Sequence, residues 1–316
     1  MTPRETLLQA LRRETPSGLP PHLELEYQLT EITPGIEQVA LRAPMLEGVT
    51  GAARQEALKR NAEMWVKVAQ RFDWSCIMGL HWLDLEDQCA SFGYVREIAG
   101  DTYMLGTSAD GTFGIPDGAH MMDQVIWFTE HPEEALEAAQ GYVDIDHARI
   151  RALVEAGAEV IFMCADYCFN DGPFLSPTMF GKFVTPFLTQ QADNIRALGA
   201  YSVKHTDGNI MPILDQLVAS GVDGLHSLDP MAGVDIAEVR RLYGDRIALV
   251  GNVNCAWVQA GTKQQIEQSA RYCLEHGGVG QPGYVYATSN CIFAGVPLEN
   301  YEWMLQLRQE YADRIA

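Results

Sequence analysis

Residues 200–228 read "AYSVKHTDGNIMPILDQLVASGVDGLHSL". An apolar-alternating run, 200–205, is followed by a helical pattern over 209–220 and a second apolar run over 222–228. Strand, helix and strand in that order form a βαβ unit with parallel strands. The first strand ends in His205-Thr206-Asp207-Gly208, so a histidine and a carboxylate two residues apart share one side of extended backbone. That pair suits a metal site or an acid/base couple. It equally suits a turn in which Asp207 caps the next helix and Gly208 supplies the unusual dihedral.

The rhythm continues on both sides. Upstream, "HLELE" (22–26) and "WSCIMGL" (74–80) read as strands, and a helix falls within 46–72. The stretch 94–115 reads as a hairpin turning at Asp110-Gly111, and "DQVIWF" (123–128) is the weakest strand of the series. A helix near 132–156 leads to the strand "AEVIFMCAD" (158–166), and another helix spans about 176–198. Downstream come a helix over 235–243, "IALVGNVN" (247–254), a helix over 262–276, "GYVYATSN" (283–290) and a helix over 298–314. There is no Gly-x-Gly-x-x-Gly after the first strand. This many βα units therefore predict a closed (β/α)8 TIM barrel, an α/β fold, as a single domain over residues 1–316.

Composition narrows the function classes. The 316 residues are 47% hydrophobic and 20% charged, as in a globular protein, and can bury a large core. A formal net charge of −20 opposes binding to nucleic acid, which calls for a clustered basic surface. No apolar run reaches the roughly 18 residues of a membrane span, so no membrane role is expected. The opening "MTPRETLLQALRRETP" is an amphipathic helix with internal charges rather than a secretion signal. The seven cysteines are odd in number, scattered and free of CxxC spacing, which points to reduced thiols and a cytoplasmic location.

Barrel active sites lie at the C-terminal ends of the strands. Cys164, Asp166 and Asn170 follow one strand, His205 and Asp207 the next, and His226 and Asp229 the one after. Asn252, Asn254 and Cys255 follow the next, and Ser289, Asn290 and Cys291 the last. The strand beginnings, "AGAEV", "ALGAY", "ASGVD" and "YGDRI", carry nothing comparable. Such asymmetry is what a catalytic barrel predicts.

Four segments, "DGPFLSPTMFGKFVTPFL" (171–188), "KHTDGNIMPILDQLVASGVDGLHSLDPMAGVDI" (204–236), "YGDRIALVGNVN" (243–254) and "VPLENYEWML" (296–305), together resemble the uroporphyrinogen decarboxylase superfamily. It comprises the decarboxylase and methyltransferases that work with corrinoid proteins, and the likeness covers about residues 130–316. The resemblance implies a single barrel with its site at the C-terminal face. The decarboxylase handles a polyanionic tetrapyrrole and carries an arginine-rich "RQAGRY" pattern near its N-terminus. Here "ELEYQLTEI" (24–32) stands in that region without an arginine, so the pattern is nearer the methyltransferases.

That branch holds zinc on a His-x-Cys pair and a late Cys. His205 and Cys291 match, and Asp207 replaces the middle Cys, giving a harder ligand set that still suits zinc. The resemblance thus implies metal ligands His205, Asp207 and Cys291, and a corrinoid (cobalamin) supplied by a partner protein. The methyl donor or acceptor would be a small molecule, for example a methoxylated aromatic undergoing O-demethylation. Asp166 or His226 would act as general acid, and Asn170, Asn252 and Glu24 would contact substrate. A homodimer is the assembly considered. Competing readings are a metal-free tetrapyrrole decarboxylase and a non-catalytic barrel that binds a corrinoid partner.

Overall fold

The computed structural model describes residues 1–14, 18–278 and 281–315. Among the described residues the strands are β1 (Cys76–Ile77), β2 (Met104–Ser108), β3 (Val160–Met163), β4 (Cys168–Phe169), β5 (Gly172–Pro173), β6 (Tyr201–His205), β7 (Gly224–His226), β8 (Ala248–Val250) and β9 (Tyr284–Val285). Seven of them form one sheet in the order β1-β2-β3-β6-β7-β8-β9, with every neighbouring pair parallel. The remaining two, β4 and β5, make a short antiparallel hairpin beyond the end of β3. Helices α1 (Pro3–Leu11), α2 (Gly51–Arg71), α3 (Leu85–Ala99), α4 (Met121–Glu130) and α5 (Pro132–Glu155) occupy the first half. In the second half lie α6 (Pro177–Phe183), α7 (Thr185–Ala197), α8 (Leu214–Ala219), α9 (Ile236–Tyr243), α10 (Cys255–Ala260), α11 (Lys263–Tyr272) and α12 (Leu298–Ile315).

Side chains alternate across the strands, and the sheet curls so that one face turns inward. Leu23, Leu25, Cys76, Met78, Met104, Val160, Phe162, Val203, Ala248, Val250, Val285 and Ala287 pack together on that inner face. The intervening residues, such as Ile161, Met163, Leu225 and Leu249, pack outward in the larger core. Each large aliphatic side chain so buried contributes roughly 1.5–3 kcal/mol. An extended segment lies along both outer edges of the sheet. Tyr286 N–H donates to Pro21 O (2.8 Å) beside β9, and Ser75 N–H donates to His22 O (2.6 Å) beside β1. Within 22–26, predicted as a strand, the structure forms an isolated parallel bridge, His22 with Tyr286.

Two expectations for the first half are corrected. "DQVIWF" (123–128) lies in helix α4, and the strand that pairs with β1 and β3 is β2. A one-sided anchor wins over the β-propensity of Val125-Ile126-Trp127. Phe128 is buried and stacks on Phe183 at 4.6 Å, while Ile126 stays exposed. The 94–115 hairpin is instead the end of α3 followed by β2. Asp110 closes a local turn, its Oδ1 accepting Thr112 N–H (2.9 Å), rather than a hairpin. Gly111 is fixed by close approach, because a Cβ there would meet Tyr142 O at 2.8 Å.

Strand β6 carries opposite chemistry on its two faces. Lys204 points outward and is fully buried, bonded to Asp110 Oδ2 (2.6 Å) and Ala165 O (2.7 Å). Its ammonium also sits 4.0 Å from the centre of the Tyr167 ring. Asp110 Oδ2 accepts Ala165 N–H as well (2.8 Å), so the pair grips both sides of the loop leading to Asp166. On the inner face His205 is in register with His226 of β7. Among the described residues no helix is long and apolar enough to cross a membrane.

Candidate active site at the strand ends

A cavity of about 350 Å³ opens at the C-terminal ends of the strands, walled by Leu25, Glu26, His81, Ser108, Cys164, Asp166, His205, Asp207, Asn290 and Cys291. Within it His205 Nε2 stands 3.8 Å from Asp207 Oδ1 and 4.0 Å from Asp166 Oδ1. Among the described residues, one ligand atom from each of Asp166, His205 and Asp207 comes within 4.8 Å of the others.

Hydrogen bonds lock this triad. Asp166 Oδ1 accepts Asp207 N–H (2.9 Å), tying the loop after β3 to the loop after β6. Ser227 Oγ donates to Asp207 Oδ1 (2.8 Å), and Asn290 Nδ2 donates to Asp207 Oδ2. Ser227 and Leu228 both adopt left-handed backbone, at φ 71° and 49°. Such non-glycine outliers gather where a site demands a particular side-chain direction. Gly208 takes φ 83°, where a Cβ would lie 2.5 Å from Cys168 O. The Asp207 carboxylate therefore does not cap the following segment; Asn209 Oδ1 accepts Met211 N–H (3.1 Å) instead.

The imidazoles form a chain. His226 Nε2 lies 3.1 Å from Thr288 O, which only accepts, so that nitrogen carries the proton. In the neutral ring His226 Nδ1 is then an acceptor, and His205 Nδ1, 2.7 Å away, donates to it. His205 Nε2 is left as a bare lone pair facing two carboxylates. Burial, with Lys204 nearby, drives the His205 imidazolium down to about 3, so the ring is neutral. Burial pushes Asp207 up to about 7, with Asp166 and Asp229 adding to the shift and Ser227 and Asn290 opposing it. Three Lewis-base atoms so close together repel unless a proton, as the raised Asp207 can hold, or a cation lies between them. The donor set fits a divalent ion.

The other predicted residues fall in different places. Cys291 shares the cavity wall, but its Sγ donates to Glu26 Oε2 at 3.7 Å, and burial holds the thiol protonated, aided by Glu26 and Glu24. His226 is fully buried behind His205, without a face on the cavity. Glu24 is buried beneath the site, its Oε2 accepting from Thr288 Oγ1 (2.5 Å), and burial pushes it up to about 8. Asn170 is exposed in the turn between β4 and β5. Asn252 lines a separate cavity with Trp257, Tyr272 and Cys273, and its Nδ2 donates to Leu228 O (2.6 Å). Two residues of the site escaped the sequence reading. His81 lies just past β1, and Ser108 ends β2. The signal that exposed the later strand ends was present there too: the misread hairpin hid Ser108, whereas His81 directly follows the stretch 74–80 read as a strand.

A family model described as uroporphyrinogen decarboxylase matches residues 117–311, more than half of the chain. The chain belongs to the uroporphyrinogen decarboxylase family. Among curated relatives, the methylcobamide:CoM methyltransferase MtaA of Methanosarcina barkeri is 30% identical over 185 residues, 58% of this chain and 49% of the relative. A uroporphyrinogen decarboxylase of Coxiella burnetii is 26% identical over 175 residues, 52% of this chain and 44% of the relative. The chain thus spans about half the length of these relatives. Among solved structures, a methyltransferase from Methanosarcina mazei superposes with a TM-score of 0.73 at 18% identity, over 98% of this chain and 99% of that one. At that identity the likeness speaks for the fold alone.

Proposed function

We propose that this protein is a metal-dependent methyltransferase, moving a methyl group between a small methylated compound and a corrinoid protein. The observation that carries the reading is the His205 Nε2 lone pair, fixed by the Thr288–His226–His205 chain and aimed between Asp166 and Asp207. His205 and Asp207 are the ligands, with Asp166 as the third on geometry and Cys291 the thiol within the same cavity. A zinc ion there would act as a Lewis acid on the heteroatom that gains or loses the methyl group. The segment around His22, bonded to both edge strands, serves as the eighth stave of a closed single-domain (β/α)8 barrel. Asn170 and Asn252 would meet substrate only on larger ligands or from outside the main cavity. The protein is taken as cytoplasmic, and a homodimer remains part of the proposal.

The cavity walls carry Glu26, Asp166 and Asp207 with no lysine or arginine. That lining disfavours a substrate bearing many carboxylates, and so weighs against tetrapyrrole decarboxylation. The test is elemental analysis of the purified protein beside a His205→Ala variant, followed by incubation with a Co(I) corrinoid and methoxylated aromatics. Stoichiometric metal lost in the variant, together with methylcobalt absorbance in the wild type, supports the reading. An active, metal-free protein overturns it.

A further inference from the structure

His81 is the cavity imidazole that neither the triad nor the buried histidine chain uses. It sits in the short turn Gly79–Trp82 directly after β1, and its ring is wedged edge-on against Trp82, with centroids 5.5 Å apart. Nδ1 lies 2.8 Å from Met78 O, which can only accept, so Nδ1 carries the proton of the neutral ring. Nε2 is then a lone pair, and it makes no hydrogen bond among the described residues. The same cavity contains the triad. The other histidines are committed elsewhere. His22 and His226 are fully buried, and His120, His131, His147 and His276 lie outside this cavity.

We propose that His81 is the catalytic base of this site, taking the proton of a neutral thiol or alcohol that accepts the methyl group. The inference rests on the methyltransferase reading. The acceptor class follows from the walls, where three carboxylates and no lysine or arginine discourage an anion. The step balances. The S–H or O–H bond breaks, its proton passes to His81 Nε2, and the freed electron pair forms a bond to the methyl carbon of a methylcorrinoid. The methyl–cobalt bond breaks with its pair left on cobalt. In reverse, the imidazolium returns the proton to the demethylated product.

The surroundings suit that traffic. Burial keeps His81 neutral at rest, and its Met78 hydrogen bond and Glu26 favour the cation while Arg42 and Arg149 oppose it. Glu26 is itself held by Gln28 Nε2 (2.7 Å) and lies 3.8 Å from Arg42 Nη2, leaving it less free to exchange protons. A purely structural His81 would need no open nitrogen, since the Met78 bond and the Trp82 contact already anchor the ring.

The experiment counts protons. Binding of 2-mercaptoethanol to zinc-loaded protein is followed by titration calorimetry in two buffers of different ionisation enthalpy. If His81 takes the thiol proton, the wild type releases a smaller fraction of it to buffer than His81→Gln does at the same pH, and the gap widens as the pH falls toward the imidazole's own range. Single-turnover methylation of the thiol by methylcobalamin should slow by about 10²- to 10⁴-fold in the variant. Added imidazole should restore part of the rate in His81→Ala. Equal proton release in wild type and His81→Gln overturns the inference. Metal content is read on the same samples. Retention in His81→Gln beside loss in His205→Ala upholds the metal reading, while a wild type that holds no zinc overturns it. In that case the proton count on the metal-free protein still decides His81.

Discussion

The Nδ1 atoms of His205 and His226 lie 2.7 Å apart, too close for either ring to act independently. One must donate to the other, and Thr288 O, 3.1 Å from His226 Nε2, decides which. A backbone carbonyl of the segment after β9 thereby sets the tautomer of a cavity residue on the fourth strand of the sheet. Outer partners of this kind orient metal-binding imidazoles and raise their basicity.

The first prediction follows directly. His226→Leu removes the acceptor and frees His205 to rotate or to take the other tautomer. Metal affinity should fall by about 10- to 100-fold although no ligand has changed. Competition with a chromophoric chelator measures it, and unchanged affinity would mean that the chain has no part in holding metal.

The outward face of β6 gives a stability prediction. Lys204→Met leaves Asp110, whose side chain is only 7% exposed, without its charge partner. Breaking a buried pair from one side costs about 3–5 kcal/mol. Urea unfolding should register that loss, and Lys204→Met with Asp110→Leu should cost less than the two single changes added together.

Glu24 gives a pH dependence of defined sign. Burial raises its folded-state pKa from 4.5 to about 8, so the native state holds the proton more tightly than the unfolded chain. The stability tied to this group is fully present below about 4.5 and is lost as pH rises toward about 8. Relative to Glu24→Gln, the wild type should lose on the order of 1.4 kcal/mol per pH unit across that window. Thermal melts of both proteins at a series of pH values read the difference. Parallel curves would show that Glu24 titrates alike in both states.

Gly208 anchors the loop behind Asp207. Gly208→Ala combines a left-handed backbone with a Cβ placed 2.5 Å from Cys168 O, so the loop must shift. A loss of roughly 1–3 kcal/mol is expected, together with weaker metal retention. A variant that keeps both stability and metal would contradict the close packing of the 168 and 208 turns.

Much of this protein could be read from its residues in order. The strand–helix alternation from 158 onward needs only periodicity, and the polar groups after each strand are visible because sequence position gives the strand end. His205, Asp207 and Asp166 were nameable on that ground. The same reading failed where a local signal met a distant partner. The apolar run 123–128 is ambiguous alone, and Phe183, far along the chain, makes it a helix.

Sequence by itself determined the parallel α/β architecture, the acidic character and the residue types gathered at one end of the sheet, because these depend on short-range pattern and composition. Tertiary structure alone decided how the gathered groups stand to one another. Ligand atoms of Asp166, His205 and Asp207 come together, a carbonyl from the loop after β9 orients two imidazoles, and His81 Nε2 has no hydrogen bond among the described residues. Ligand distances and proton positions arise from contacts between distant segments, 83 residues apart for Asp207 and Asn290 and 265 for Glu26 and Cys291, and no local pattern encodes them.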